Sequence, residues 1–155
     1  MIEEKVNMKK VYVAASFAYA DRNKTEQRKA DIDRVVSKIN LEAGFYLPHH
    51  LKIENAWDMS LEDWARKVFE HDYDNLNSAD LVVFISYGKE NNSGSVWECG
   101  YAYAKDIPVV VIKMTDDVES LMISNTARAI IREEDVSNYD FVNLPEYKTN
   151  LDKLS

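Results

Sequence analysis

An α/β fold with a mainly parallel sheet of about five strands is what this sequence predicts, and two observations carry it. Val11–Ala15, Leu81–Ile85 and Pro108–Ile112 are short continuous apolar runs rich in β-branched residues. Such runs read as strands buried on both faces, the habit of parallel sheets covered by helices. The intervals between them carry helical periodicity, so the order is βαβαβαβα with right-handed crossovers. That order describes a flavodoxin-like three-layer sandwich.

Each element has its own signal. After the strand at Val11–Ala15, Ile32, Val35, Val36 and Ile39 fall at i, i+3, i+4 and i+7 and form one apolar helix face. Gly44 is a plausible stop for that helix, and Phe45–Leu47 is a weaker strand candidate. Ser60 is an N-cap candidate for a second helix, whose apolar stripe is Leu61, Trp64, Ala65, Val68 and Phe69. Gly94–Ala104 reads as a third helix and Glu119–Ala129 as a shorter fourth. A last short strand falls near Ala129–Ile131 or Asp140–Val142. With no internal repeat, low-complexity tract or linker, residues 1–155 read as one domain.

Composition narrows the function. A formal charge of −8 argues against a nucleic-acid polymer as partner, because phosphate-backbone binding rests on clustered Lys and Arg. Cys99 is the only cysteine, so no intrachain disulfide is expected. Met1–Lys10 is charged and lacks the apolar core of a signal peptide. No apolar run approaches the roughly 20 residues of a membrane span. A cytoplasmic protein without membrane contact is the expectation.

In open α/β sheets ligands bind beyond the carboxyl ends of the strands. Here those ends lead into Ser16-Phe17, into Pro48-His49-His50 and into Tyr87–Ser95. The third loop holds Gly88, Asn91, Asn92, Ser93 and Gly94 and feeds a helix N-terminus able to receive an anion or a sugar hydroxyl. It lacks the spacing of a Walker A or dinucleotide fingerprint.

Several residues stand out against this frame. Glu98 lies near the first turn of the third helix, and Ser95-Val-Trp-Glu98 also matches a capping box, in which the carboxylate would only cap a backbone N–H. Asp72 continues a stripe with Val68 and Leu76, where a carboxylate needs a partner or a cleft; the alternative is a solvated helix exit. Tyr12 occupies an interior strand position and needs a partner for its hydroxyl. Phe17, Trp57, Trp64 and Trp97 offer flat apolar surface, more often core than ligand platform. Cys99 adjoins Glu98, but adjacent helical residues point about 100° apart, so it cannot share the direction of Glu98. His49 and His50 have no third ligand at recognisable spacing, so no metal is expected, and His71 reads as surface.

These residues resemble the nucleoside 2-deoxyribosyltransferase family over nearly the whole chain, from Val11-Tyr-Val-Ala-Ala-Ser-Phe17 to Asn138-Tyr-Asp-Phe141. Ser93-Gly-Ser-Val-Trp-Glu-Cys-Gly-Tyr-Ala102 resembles the family's Gly-x-x-x-Glu-x-Gly nucleophile helix. Asp72-Tyr-Asp-Asn-Leu76 followed by Ala79-Asp80 is similar to its Asp-bearing helix, and Leu121-Met-Ile123 to a segment that reaches into a neighbouring subunit's site. The resemblance implies that Glu98 attacks the anomeric carbon, Asp72 handles the proton at the base and Tyr12 orients Glu98. It further implies a base site lined by Phe17 and Trp64, with Met122 contributed by the partner subunit. Asn92 and Gly94 would serve the sugar. The implied partners are a deoxynucleoside and a free nucleobase, without a cofactor, in a homo-oligomer, dimer-based and up to a hexamer, with shared active sites.

Two positions depart from the family pattern. Its transferases usually carry Asp where this chain has Asn92, and Asn where it has Ser120. A Ser at the latter position resembles the related 2'-deoxynucleoside 5'-monophosphate N-glycosidases. Three readings follow: base exchange through a covalent glycosyl-enzyme, hydrolysis of deoxynucleoside monophosphates, and a non-catalytic nucleotide-sensing module. Ser16–Ala20 has no basic residue before Arg22, which favours a free 5'-hydroxyl over a 5'-phosphate.

Overall fold

A computed structural model describes residues 8–90 and 92–149. Asn91 and the two ends of the chain lie outside them. Six strands alternate with helices: β1 Lys10–Ala14, α1 Arg22–Ser37, β2 Gly44–Tyr46, α2 Leu61–Asn77, β3 Leu81–Ser86, α3 Ser93–Ala104, β4 Val109–Lys113, α4 Leu121–Thr126, β5 Ala129–Arg132 and β6 Tyr147–Lys148. The sheet order is β2-β1-β3-β4-β5-β6, and every pairing is parallel. The order reverses around β1, so the crevice at the carboxyl ends of β1 and β3 is the topological switch point where such folds bind ligands.

Among the described residues the sheet thus has six strands rather than about five. The last strand with an apolar signal is the one at Ala129, whereas Asp140–Val142 forms a turn. The extra strand, Tyr147–Lys148, has two residues at the sheet edge, too short for any alternation to register. The fourth helix is shorter than Glu119–Ala129 because Ser120 caps it, accepting the Ile123 N–H at 3.2 Å, and Ala127 is already extended.

Strand alternation sorts the core into two layers. Val11, Val13, Val83, Ile85, Val110 and Ile112 face α1, where Ile32, Val35 and Ile39 complete the packing. Tyr12, Ala14, Val82, Phe84, Val109 and Val111 face the other helices, meeting Leu76, Cys99, Ala102 and Ile123. Asp21 caps α1 through its carboxylate, accepting the Asn23 N–H at 2.9 Å, and Ser60 caps α2 as its sequence position predicts.

The apolar stripe of α2 does not behave as the sequence suggests. Only Leu76 of this helix is buried, while Leu61, Trp64 and Phe69 are 79%, 40% and 54% exposed. A helix of 17 residues runs about 25 Å, and its buried contact with the sheet is confined to the C-terminal end. It also packs on α3, through the ring pairs Phe69–Trp97 and Tyr73–Tyr101. No helix among the described residues is long and apolar enough to cross a membrane.

Candidate active site

The site begins with strand register. In the β1–β2 ladder Tyr12 sits opposite Tyr46, and their rings stack at 5.4 Å between centroids. Equivalent register places both phenols on the same face of the sheet, toward α2 and α3. The Tyr12 hydroxyl donates to the Glu98 carboxylate, and the Tyr46 hydroxyl donates to Asp72 Oδ1 at 2.7 Å. Two neighbouring strands therefore hold two carboxylates, one from each helix.

The carboxylates open into a cleft of about 270 Å³ between α2 and α3. Phe69, Tyr73 and Leu76 form its α2 side, and Gly94 and Trp97 its α3 side. The walls are apolar and aromatic around a small polar floor, the usual character of a small-molecule site.

The capping-box reading of Glu98 does not survive this geometry. Helix α3 starts at Ser93 with Asn92 as N-cap, so Ser95 is already helical and buried. Glu98 is in the second turn rather than the first, and its partner is Tyr12, 86 residues away. Cys99 points into the core beneath α3, where burial pushes its thiol well above the ordinary range. An inert structural thiol is the result.

Burial sets the electrostatics. It pushes Glu98 up to about 7; the Tyr12 hydrogen bond opposes the rise and the nearby charge of Asp72 reinforces it. Asp72 is also raised by burial, against the pull of the Tyr46 hydrogen bond. Both phenols are driven above the usual tyrosine value, chiefly by burial and then by the carboxylates they serve, so they remain O–H donors. Two perturbed carboxyl groups in one cleft are a physical signature of a functional site.

The family model for nucleoside 2-deoxyribosyltransferases matches residues 11–138. The chain belongs to this family. A 2-deoxyribosyltransferase from Bacillus psychrosaccharolyticus is 25% identical and superposes with a TM-score of 0.72, covering 89% of this chain and 97% of that one. A conserved protein from Enterococcus faecalis V583, 20% identical with a TM-score of 0.51 over 92% and 82% of the two chains, shares the fold. Among curated proteins none matches.

Of the residues that the deoxyribosyltransferase resemblance points to, the structure brings Tyr12, Asp72, Glu98 and Gly94 together in or beneath this cleft. It does not bring Phe17 there. That ring packs against the α1-side core, 5.7 Å from the ring of His49. Trp64 does not line the cleft either; it lies two turns before Asp72, about 12 Å along the helix. Trp97, expected in the core, is 52% exposed and forms a cleft wall.

Asn92 and Ser120 share a second hollow, beside the N-terminal end of α3. The Asn92 amide donates to the Gly88 carbonyl at 2.9 Å and so closes the turn after β3. Gly88 itself has φ +73°, and a side chain there would collide with Asp117. Met122 projects outward from α4 with 73% exposure and touches neither hollow.

Sequence reasoning missed Tyr46 and Phe69. Tyr46 belonged to the weakest strand candidate, and only its pairing with Tyr12 across the ladder marks it. Phe69 was legible as part of an apolar stripe, but the stripe was expected to face the core.

Proposed function

We propose that this chain transfers a 2-deoxyribosyl group between purine or pyrimidine bases, with Glu98 as nucleophile, Asp72 as acid–base group and Tyr12 as the donor that orients Glu98. The observation that carries this reading is the carboxylate pair in one cleft, each member held by its own tyrosine. In the first displacement a Glu98 oxygen forms a bond to the anomeric carbon as the bond to the base nitrogen breaks. Asp72 gives its proton to the departing base. In the second, an incoming base attacks the same carbon, its N–H proton passes to Asp72, and Glu98 leaves as carboxylate. Two displacements retain the anomeric configuration. Phe69 and Trp97 offer flat faces on which a base can stack.

Each carboxyl group suits its part. Burial favours the protonated form of Asp72, which a general acid needs. Glu98, poised near 7, is ionised in a useful fraction at neutral pH, and a single phenolic donor leaves its second oxygen for attack.

A second reading, N-glycosidic hydrolysis of 2'-deoxynucleoside 5'-monophosphates, draws on the neutral Asn92 and Ser120 and on Lys89, which line one hollow together with Glu119, a carboxyl group whose neutral form burial favours. Against it, two cations that pack on the Tyr19 ring in the loop after β1 are already engaged, Arg28 with Glu90 at 2.7 Å and Lys24 with the same carboxylate at 3.4 Å. Product analysis with a deoxynucleoside and its 5'-monophosphate, each with and without a second free base, separates the readings. A new nucleoside should form from the deoxynucleoside only when acceptor base is present. Preference for the monophosphate, with free base and deoxyribose 5-phosphate as products, would replace transfer by hydrolysis. No turnover of either would leave a binding module.

We further propose a homo-oligomer, dimer-based and up to a hexamer, with shared active sites. Leu61, Trp64 and Phe69 on α2 and Leu121 and Met122 on α4 leave much apolar surface uncovered in one chain, and such patches mark interfaces. Mixing a Glu98→Ala chain with a Met122→Lys chain should restore part of the activity, because one class of mixed site regains both intact residues. A fully active monomer, or no restoration after verified subunit exchange, would count against sharing.

A further inference from the structure

His49 and His50 acquire in three dimensions the ligand that their sequence neighbourhood lacks. They occupy a single 3-10 turn, Pro48–His50, directly after β2, with proline in its first position. Consecutive side chains of such a turn point about 120° apart, yet here both imidazoles bend toward one carboxylate. His49 Nε2 lies 2.8 Å from Asp33 Oδ1, and His50 Nε2 lies 3.1 Å from the same oxygen. The rings meet edge to face at 4.3 Å, and the three ligating atoms lie within 4.8 Å of one another. Asp33 belongs to α1, sixteen residues before His49, so two elements contribute.

We propose that Asp33, His49 and His50 bind one divalent transition-metal ion of the zinc class. Two imidazole nitrogens and one carboxylate oxygen form a borderline donor set that suits zinc, cobalt or nickel better than magnesium or calcium, which take oxygen ligands. Ligands about 2.0–2.1 Å from a tetrahedral ion stand roughly 3.3 Å apart, so the two contacts with Asp33, now 2.8 and 3.1 Å, need only widen by a few tenths of an ångström while the imidazole nitrogens settle to the same spacing. The site can make that adjustment. The His49 side chain is 3% exposed and gives a fixed wall, whereas His50 and Asp33 are 58% and 50% exposed and free to shift. The open side also gives the ion a path in and leaves the fourth position to water. Each histidine would bind as the neutral tautomer with its proton on Nδ1, the lone pair of Nε2 replacing the present contact with Asp33. The ion would tie α1 to the turn after β2, behind the ring of Phe17. This site lies outside the Glu98 cleft, and the proposal does not rest on the transferase reading.

The test is titration of the full-length chain, free of any histidine tag, with Zn²⁺ followed by calorimetry and with Co²⁺ followed by visible absorption. One ion per chain is expected, with the intense cobalt bands of a four-coordinate site and a Tm that rises with zinc. Asp33→Asn and His50→Ala, both at accessible positions, should each weaken binding at least about tenfold, a loss typical even of partners outside the first coordination sphere. His71→Ala, at the remaining histidine of the chain, should bind as the parent does. Binding that is absent, or as tight in Asp33→Asn or His50→Ala as in the parent, overturns the proposal.

Discussion

Glu98→Gln is expected to yield a folded protein that is more stable than the parent above pH 7 and has lost base exchange on the order of 10⁴-fold or more. Both halves follow from the burial of one carboxyl group. Glu98 is held at about 7 in the native state against 4.5 for an unperturbed glutamate. Below about 4.5 both folded and unfolded chains carry the proton, and the group contributes no pH dependence. Between that value and 7 the unfolded chain ionises first, the native state binds more protons, and stability falls as pH rises. Above 7 the full penalty is present, about 3 kcal/mol. Glutamine keeps the volume and an acceptor for the Tyr12 hydroxyl but carries no charge, so the variant should escape the penalty. Denaturant unfolding of both proteins at several pH values should show the stability difference growing from pH 5 to 8. Loss of a merely capping glutamate would instead lower stability by roughly 0.5–2 kcal/mol. The parent's kcat/KM should rise with pH through about 7 as the nucleophile ionises. Mass spectrometry of the parent with substrate should reveal a glycosyl adduct on Glu98. Near-parental turnover in folded Glu98→Gln or Glu98→Ala would remove the nucleophile assignment.

Asp72→Asn should slow exchange by about 10²–10⁴-fold for bases that leave poorly unless protonated. For activated leaving groups the loss should be small. Asparagine preserves an acceptor for the Tyr46 hydroxyl, now 2.7 Å from Asp72, so the cleft should keep its shape. What disappears is a transferable proton, the form of the acid that burial favours. Rates measured over a series of deoxynucleosides with graded leaving groups should therefore steepen in the variant. A uniform loss across the series would assign Asp72 to binding or structure instead.

The pattern of β-branched runs and helical intervals was sufficient for the fold class, because a parallel sheet buries both faces of its strands and leaves a continuous apolar record. Glu98, Asp72 and Tyr12 were each visible as a polar group in a position that asks for an explanation. Their meeting was implied by the family resemblance and by no local pattern. It depends on the β1–β2 register, a one-residue slip of which would turn Tyr46 to the opposite face. Phe17 and Trp64 were placed at the base site by resemblance, yet in this chain one packs on His49 and the other lies two turns from Asp72. The chain's own packing decides such positions, and a motif does not encode it.

Sequence by itself determined the alternation of strands and helices, the cap of α2, the parallel character of the sheet and the family, since each rests on neighbours within a few residues or on ordered motifs. Only the tertiary structure decided that Tyr46 holds Asp72, that α2 leaves Trp64 and Phe69 in solvent, and that Asp33 meets His49 and His50. The physical reason is the range of the interactions. Periodicity and capping are local, whereas a hydrogen bond across 86 residues or a histidine pair closed by a distant helix exists only after the sheet has fixed which elements lie side by side.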